Sequence, residues 1–257
     1  MFDKQIHRDD FRLRLLVTDG CNKSCKNCLN DFQEKPKDEM HFLDPEIAKT
    51  IIQAYCSYRG DKAQVEISGG EPGIYPYLEE VVKYAKECGA FVKVNTNGTA
   101  FGQQIEEFVD CWHIGVTGIV IDMTEDIIRV GGQVQFVVTH DSIEWLNDIV
   151  QFYGRHNIPI KLFVDFLSQG KEKEEIENAI ERVIALYPDF VIKTRFVGVQ
   201  ENRGHACFDC NEQCITLKAL WVFTDGRVST CPQGIVEPEI FTEDKIESTF
   251  MEHAVTV

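Results

Sequence analysis

Three thiols crowd one short stretch of this 257-residue chain: Cys21, Cys25 and Cys28, spaced C-x3-C-x2-C. They follow directly on an apolar, strand-like run at residues 11–17. Spacing that tight does not serve packing; it describes a loop wrapped around one inorganic object. Iron–sulfur clusters are held by thiolates, normally four. Structural zinc also takes Cys-x2-Cys pairs and four ligands, and His7 or His41 could complete such a set. Lys23 and Lys26 flank the thiols and favour the thiolate for either metal. Spacing alone leaves cluster and zinc both open.

A second set, Cys207, Cys210, Cys214 and Cys231, lies near the C-terminus, and Cys56, Cys88 and Cys111 are scattered. The scattered three are expected to be small buried hydrophobes. The chain starts on polar residues, with no signal peptide and no apolar run of membrane length. Ten cysteines in such a chain predict a cytoplasmic protein whose thiols bind metal or do chemistry. The net charge of −16 argues against a general hold on nucleic acid or anionic membrane. It leaves room for a local basic channel, and so for a nucleotide substrate.

Positioning these thiols requires a scaffold, and the hydrophobic pattern supplies one. Strands are predicted at residues 11–17, 63–68, 90–95, 112–116, 118–121, 133–139, 159–166 and 191–197. Helices are predicted at 44–58, opened by an Asp44 cap and Pro45, and at 77–88, 103–109, 142–153 and 171–186. About six βα units in succession imply a parallel sheet, since parallel strands need helical crossovers. The expected fold is therefore α/β, a partial (β/α)6 parallel barrel. Working residues in such folds lie at the C-terminal ends of strands. The cysteine loop follows the first strand, Gly69-Gly70-Glu71-Pro72 the second, and Thr96-Asn97-Gly98 the third. All three are expected on one rim.

Cys21-x3-Cys25-x2-Cys28 with Gly-Gly-Glu-Pro and Thr-Asn-Gly at those strand ends resembles the radical S-adenosylmethionine (SAM) enzyme superfamily, over roughly residues 10–200. The resemblance implies a [4Fe-4S] cluster on Cys21, Cys25 and Cys28, with one iron open to the amino and carboxylate groups of SAM. It implies reductive cleavage to a 5′-deoxyadenosyl radical that abstracts hydrogen from substrate, fed by a reductant such as flavodoxin or ferredoxin. It implies further that Gly69 and Gly70 let backbone approach the methionyl group, that Glu71 accepts from its ammonium, and that Asn97 meets a ribose hydroxyl. One departure is visible: Asn27 stands where the family has an aromatic residue against the adenine.

Cys214, eleven residues, Gly226, four residues and Cys231 form a pattern that resembles the hairpin of SPASM and Twitch modules, which hold auxiliary clusters. With Cys207 and Cys210 preceding it, a compact version with one further [4Fe-4S] cluster is expected; a four-thiolate zinc knot is the rival. The Asp225-Gly226 turn between two apolar runs predicts the hairpin itself. The division expected is a barrel at 1–200 and an auxiliary module with an acidic tail at 201–257. Relatives of this kind modify peptides or act on nucleotides, sugars or aminocyclitols, and the expectation leans to a peptide. A non-catalytic zinc or iron–sulfur module is the distant alternative. His113, Asp165 and Arg195 lie in or near strand ends within reach of substrate or SAM, Arg195 as a modest candidate for a carboxylate or phosphate; His113 reads rather as a satisfied polar residue, Trp221 and Phe223 as core, and 171–181 as a solvated helix face.

Overall fold

The computed structural model describes residues 11–28, 36–102, 104–165, 167–192, 219–229 and 239–241. Its frame is a run of parallel strands: β1 Arg12–Leu16, β2 Gln64–Ser68, β3 Phe91–Thr96, β4 Cys111–Val116, β5 Gln133–Val138, β6 Ile160–Val164 and β7 Val191–Ile192. Between them run α1 Pro45–Arg59, α2 Leu78–Glu87, α3 Thr124–Arg129, α4 Leu146–Arg155 and α5 Gly170–Leu186. Asp44 caps α1 as predicted, its carboxylate accepting from the Glu46 and Ile47 amides. Each strand pairs in parallel with its successor, from β1 through β7.

The hairpin follows: β8 Ala219–Val222 and β9 Arg227–Ser229, with β10 Glu239–Ile240 beyond. Gly226 has φ 80°, and its amide donates to the Phe223 carbonyl at 2.9 Å, so a glycine is required at this turn. The hairpin does not stand apart. β8 pairs in parallel with β1, giving one ten-stranded sheet in the order β10-β9-β8-β1-β2-β3-β4-β5-β6-β7.

Three expectations fail locally. Residues 118–120 form no strand, and a 3-10 turn at Ile121–Met123 leads into α3, which the pattern missed. The helix expected at 103–109 is only a 3-10 turn, Glu106–Phe108. The helix expected from residue 142 begins as a 3-10 segment, His140–Trp145, before α4. The hairpin's Trp221 is buried, and Phe223 is half-buried.

The sheet has two unlike faces. Leu13, Leu15, Val65, Ile67, Val92, Val94, Ile114, Phe136 and Leu162 are buried in one apolar core with helix residues such as Ile51, Val81, Ile149 and Ile176. The alternate positions face the other way and include Arg12, Arg14, Gln64, Glu66, Lys93, Asn95, His113 and Lys161. Burial first, and then the Arg12 guanidinium on β1, depress the pKa of Lys161 on β6. Five inter-strand steps in a flat sheet span roughly 24 Å, too far for that effect, so the sheet curls and this polar face becomes a lumen. Among the described residues no helix is long and apolar enough to cross a membrane.

Candidate active site

The three predicted loops meet at the C-terminal rim of β1, β2 and β3, and backbone joins the first two. The Gly70 amide donates to the Thr18 carbonyl at 2.7 Å, and the Glu71 amide to the Gly20 carbonyl at 2.9 Å. A Cβ at Gly70 would stand 1.8 Å from the Gly20 oxygen, and one at Gly69, whose φ is +130°, 2.5 Å from the Thr18 oxygen. The paired glycines therefore let the second loop lie flat on the cysteine loop. The close approach they permit in this structure is to Thr18 and Gly20.

Side chains add the third loop. The Glu71 carboxylate is 1% exposed. Its Oε1 accepts from Thr96 Oγ1 at 2.6 Å and the Gly73 amide at 2.7 Å, and its Oε2 from the Asn97 amide at 2.6 Å. Burial raises its pKa, and those three donors oppose the rise. Glu71 thus ties the loops after β2 and β3 together and keeps part of Oε2 available. Asn97 Nδ2 donates to Asn22 Oδ1 at 2.7 Å and lies 3.9 Å from Cys21 Sγ. Its Oδ1 accepts from Thr99 Oγ1 at 2.8 Å, and Asn22 Nδ2 donates to Thr99 Oγ1 at 2.8 Å. An Asn22–Asn97–Thr99 triangle clamps the cysteine loop to the loop after β3.

The entry to the cysteine loop is held from its other side. His41 Nδ1 sits 2.7 Å from Asp19 Oδ2, and Thr18 bridges Phe42. His41 is thereby committed to Asp19; His7 lies outside the described residues. Cys21 and Cys28 are half-buried and Cys25 is exposed, all as free thiols. Burial raises the Cys21 pKa, the Lys23 backbone amide lowers it, and the Glu71 carboxylate raises it again. Lys23 Nζ reaches the Asn97 carbonyl at 3.4 Å.

The donor set suits a cluster: three thiols on one loop, braced by backbone, supply three of four thiolate positions. Among the described residues no three His, Cys, Asp or Glu side chains converge on a single metal ion. The fit therefore rests on donor chemistry and on the glycine cradle behind the loop. Cys207, Cys210, Cys214, Cys231 and Arg195 lie outside the described residues. Of the scattered cysteines Cys56 is buried as expected. Cys88 and Cys111 are half-buried, because Cys88 ends α2 beside Gln53 and Cys111 starts β4.

Below the rim the lumen holds what the sequence reading missed. Arg12 and Arg14 on β1, Lys93 on β3 and Lys161 on β6 surround Glu66 of β2. Arg14 Nη2 lies 2.5 Å from Glu66 Oε1, and Arg12 Nη1 3.6 Å from Oε2. The two guanidinium groups outweigh burial and hold the Glu66 carboxyl well below the usual carboxylate range. Lys93 is 1% exposed and donates to Gln64 Oε1 at 3.1 Å. Burial pushes its pKa down, and burial with the neighbouring cations pushes Lys161 down to about 8. His113 sits among them with Nδ1 2.9 Å from Asn95 Oδ1, and burial lowers its pKa to about 3, so the ring is neutral. The signal was present as polar residues alternating along parallel strands (Arg-Leu-Arg-Leu, Gln-Val-Glu-Ile, Gln-Val-Gln-Phe). Strands buried on both faces by apolar layers read instead as continuous apolar runs.

Comparison with known proteins identifies a family. The model of the Radical SAM superfamily matches residues 15–183. The chain belongs to the radical SAM superfamily, whose members are enzymes that use a [4Fe-4S] cluster and SAM. This sets aside the non-catalytic alternative. A GTP 3′,8-cyclase of Actinobacillus pleuropneumoniae serotype 5b (strain L20) is 30% identical over 199 residues, covering 77% of this chain and 55% of the relative. That of Vibrio atlanticus (strain LGP32) is 30% identical over 124 residues, 48% of this chain and 36% of the relative. The chain thus spans between about a third and just over half of these relatives. Among solved structures, anSMEcpe with bound AdoMet has a TM-score of 0.66 at 14% identity, covering 96% of this chain and 78% of that one. Streptococcus suis SuiB bound to precursor peptide SuiA has a TM-score of 0.64 at 14% identity, covering 90% and 61%. At that identity the likeness is one of fold.

Proposed function

We propose that Cys21, Cys25 and Cys28 hold the SAM-binding cluster, and that the enzyme abstracts hydrogen from a small polar molecule in the barrel lumen. The observation that carries the first half is the interlocking of the three rim loops. Backbone hydrogen bonds, the Glu71 carboxylate and the Asn22–Asn97–Thr99 triangle brace the thiol loop from two sides. When bound, the cluster supplies the electron that splits SAM into methionine and a 5′-deoxyadenosyl radical. The chain's own residues position the reactants. Gly69 and Gly70 keep side chains out of the rim, the open part of Glu71 Oε2 would accept from the ammonium of SAM, and Asn97 would meet its ribose hydroxyl.

The polar lumen favours a small molecule over the peptide expected from the cysteine pattern. The sequence relatives named as GTP 3′,8-cyclases support the same choice, whereas the peptide-bound neighbour shares the fold alone. The second cysteine set is assigned to one auxiliary cluster on its C-x11-G-x4-C spacing. The test is direct. Protein reconstituted without oxygen is analysed for iron and sulfide, then given SAM and dithionite. About eight irons per chain are expected, since each cysteine set carries a four-iron cluster, together with release of 5′-deoxyadenosine. Stoichiometric zinc with no nucleoside would overturn the reading.

A further inference from the structure

The Asn97 side chain is held more completely than a contact for a cofactor hydroxyl requires. A carboxamide has two donor hydrogens and two acceptor positions. Oδ1 accepts from Thr99 Oγ1 at 2.8 Å and from the Thr99 backbone amide at 3.3 Å. Nδ2 donates to Asn22 Oδ1 at 2.7 Å and to Cys21 Sγ at 3.9 Å. The direction of the group is fixed by its partners. A backbone N–H can only donate, so the end that faces the Thr99 amide is the oxygen, and the NH2 is turned toward Asn22 and Cys21. The Asn97 backbone is pinned as well, its amide donating to Glu71 Oε2 at 2.6 Å.

The sulfur that receives this NH2 has particular surroundings. Cys21 is half-buried, whereas Cys25 is exposed. Burial first, and the Glu71 carboxylate among its neighbours, raise the Cys21 pKa, so the Glu71 charge is felt at this thiol. A nearby anion opposes the arrival of an electron, and a hydrogen-bond donor favours it. Hydrogen bonds to the sulfurs and solvent exposure both set the potential of an iron–sulfur cluster. The physical reason is that reduction adds negative charge, part of it on sulfur, which the donor stabilises.

We propose that Asn97 is a tuning residue: its NH2 donates to the Cys21 sulfur as cluster ligand and makes the cluster easier to reduce. Asn22 and Thr99 aim the group. This inference rests on the assignment of the cluster to Cys21, Cys25 and Cys28, and it concerns how readily that cluster takes up its electron. A ribose hydroxyl is met at Oδ1 by exchange with Thr99, which leaves the bond to sulfur in place.

The experiment is a redox titration of the reconstituted, SAM-free enzyme, followed by EPR of the reduced cluster. The signal of this loop is the one missing from Cys25→Ala. Asn97→Ala is expected to lower the equilibrium constant for electron uptake by about threefold or more, where tenfold corresponds to about 59 mV for a one-electron couple. In D2O, pulsed EPR is expected to lose the coupling of one exchangeable deuteron in Asn97→Ala, and equally in Asn97→Asp, which keeps the acceptor for Thr99. Thr99→Val loosens the clamp and leaves the NH2, so it is expected to keep both the potential and the coupling. An unchanged potential in Asn97→Ala, an unchanged coupling in Asn97→Asp, or an equal shift in Thr99→Val would each overturn the proposal. If Asn97→Ala does not hold the cluster, the coupling in Asn97→Asp decides. Weaker SAM binding at an unchanged potential would confine Asn97 to the ribose. Identical spectra in Cys25→Ala and wild type are a different failure, which overturns the ligand assignment itself.

Discussion

Replacing Gly70 by alanine is the sharpest test of how the rim is built. The added methyl carbon would lie 1.8 Å from the Gly20 carbonyl oxygen and 3.1 Å from the Cys21 amide nitrogen. Backbone is what it meets, so no side chain can swing aside. The loop after β2 must lift, breaking the hydrogen bonds from Gly70 to Thr18 and from Glu71 to Gly20. Each bond contributes about 0.5–1.5 kcal/mol, and forced overpacking costs about 1–3 kcal/mol. The smaller conformational freedom of unfolded alanine returns about 0.4–1 kcal/mol. The net loss is about 1–5.5 kcal/mol. It will appear as a lower unfolding midpoint or, if only the rim opens, as loss of cluster iron at an unchanged midpoint. Gly118→Ala is the control, since a Cβ there meets nothing within 4 Å, and a change within about 0.5 kcal/mol is expected. Denaturant unfolding and iron per chain after anaerobic gel filtration read both. If Gly70→Ala retains wild-type iron and midpoint, or Gly118→Ala falls as far, the cradle argument is wrong.

Glu71→Gln puts an NH2 where two oxygens now receive three donors; a loss of about 1–3 kcal/mol and of SAM cleavage is expected, and near-normal activity would show that the carboxylate is not the tie. Cys25 is exposed, so Cys25→Ala should leave the unfolding midpoint of the iron-free protein unchanged while abolishing 5′-deoxyadenosine release; retained release counts against the ligand assignment. His113 is held neutral with a pKa of about 3 against an unfolded value near 6.5. Between these values the unfolded chain binds a proton that the folded one does not, so stability falls as pH drops below about 6.5, by at most about 1.4 kcal/mol per pH unit. Glu66, whose folded pKa is depressed, adds to the loss below about pH 4.5. Urea midpoints from pH 7 to 5 should slope in the wild type and flatten in His113→Gln; equal slopes would refute the assignment.

The sequence announced the rim more clearly than the lumen, for a physical reason. Rim residues cluster along the chain: three thiols in eight positions, two glycines beside a glutamate, Asn97 beside Gly98. Each strand end supplies a compact word, and strand order alone makes the words neighbours. The floor is assembled from single residues on β1, β2, β3 and β6, separated by tens of positions, and only the curl of the sheet brings Arg12 toward Lys161. Trp221 was legible as buried but not as a partner for Arg14, because β8 lies beside β1 through a parallel pairing that no local pattern encodes. Likewise 118–120 has the β-branched composition of a strand, yet it is the turn into a short helix.

That separation bears on how the enzyme would choose its substrate. A radical formed at the rim is indiscriminate unless the target carbon is held within about 3–3.5 Å in a fixed direction. Contacts at the rim alone leave a small molecule free to rotate about its point of attachment. Lys93 is buried, and its pKa is depressed by that burial, so an apolar residue there would give a more stable barrel. Lys93→Met is therefore expected to raise the urea midpoint of the ligand-free protein, and a fall would show that the lysine is held there by favourable contacts.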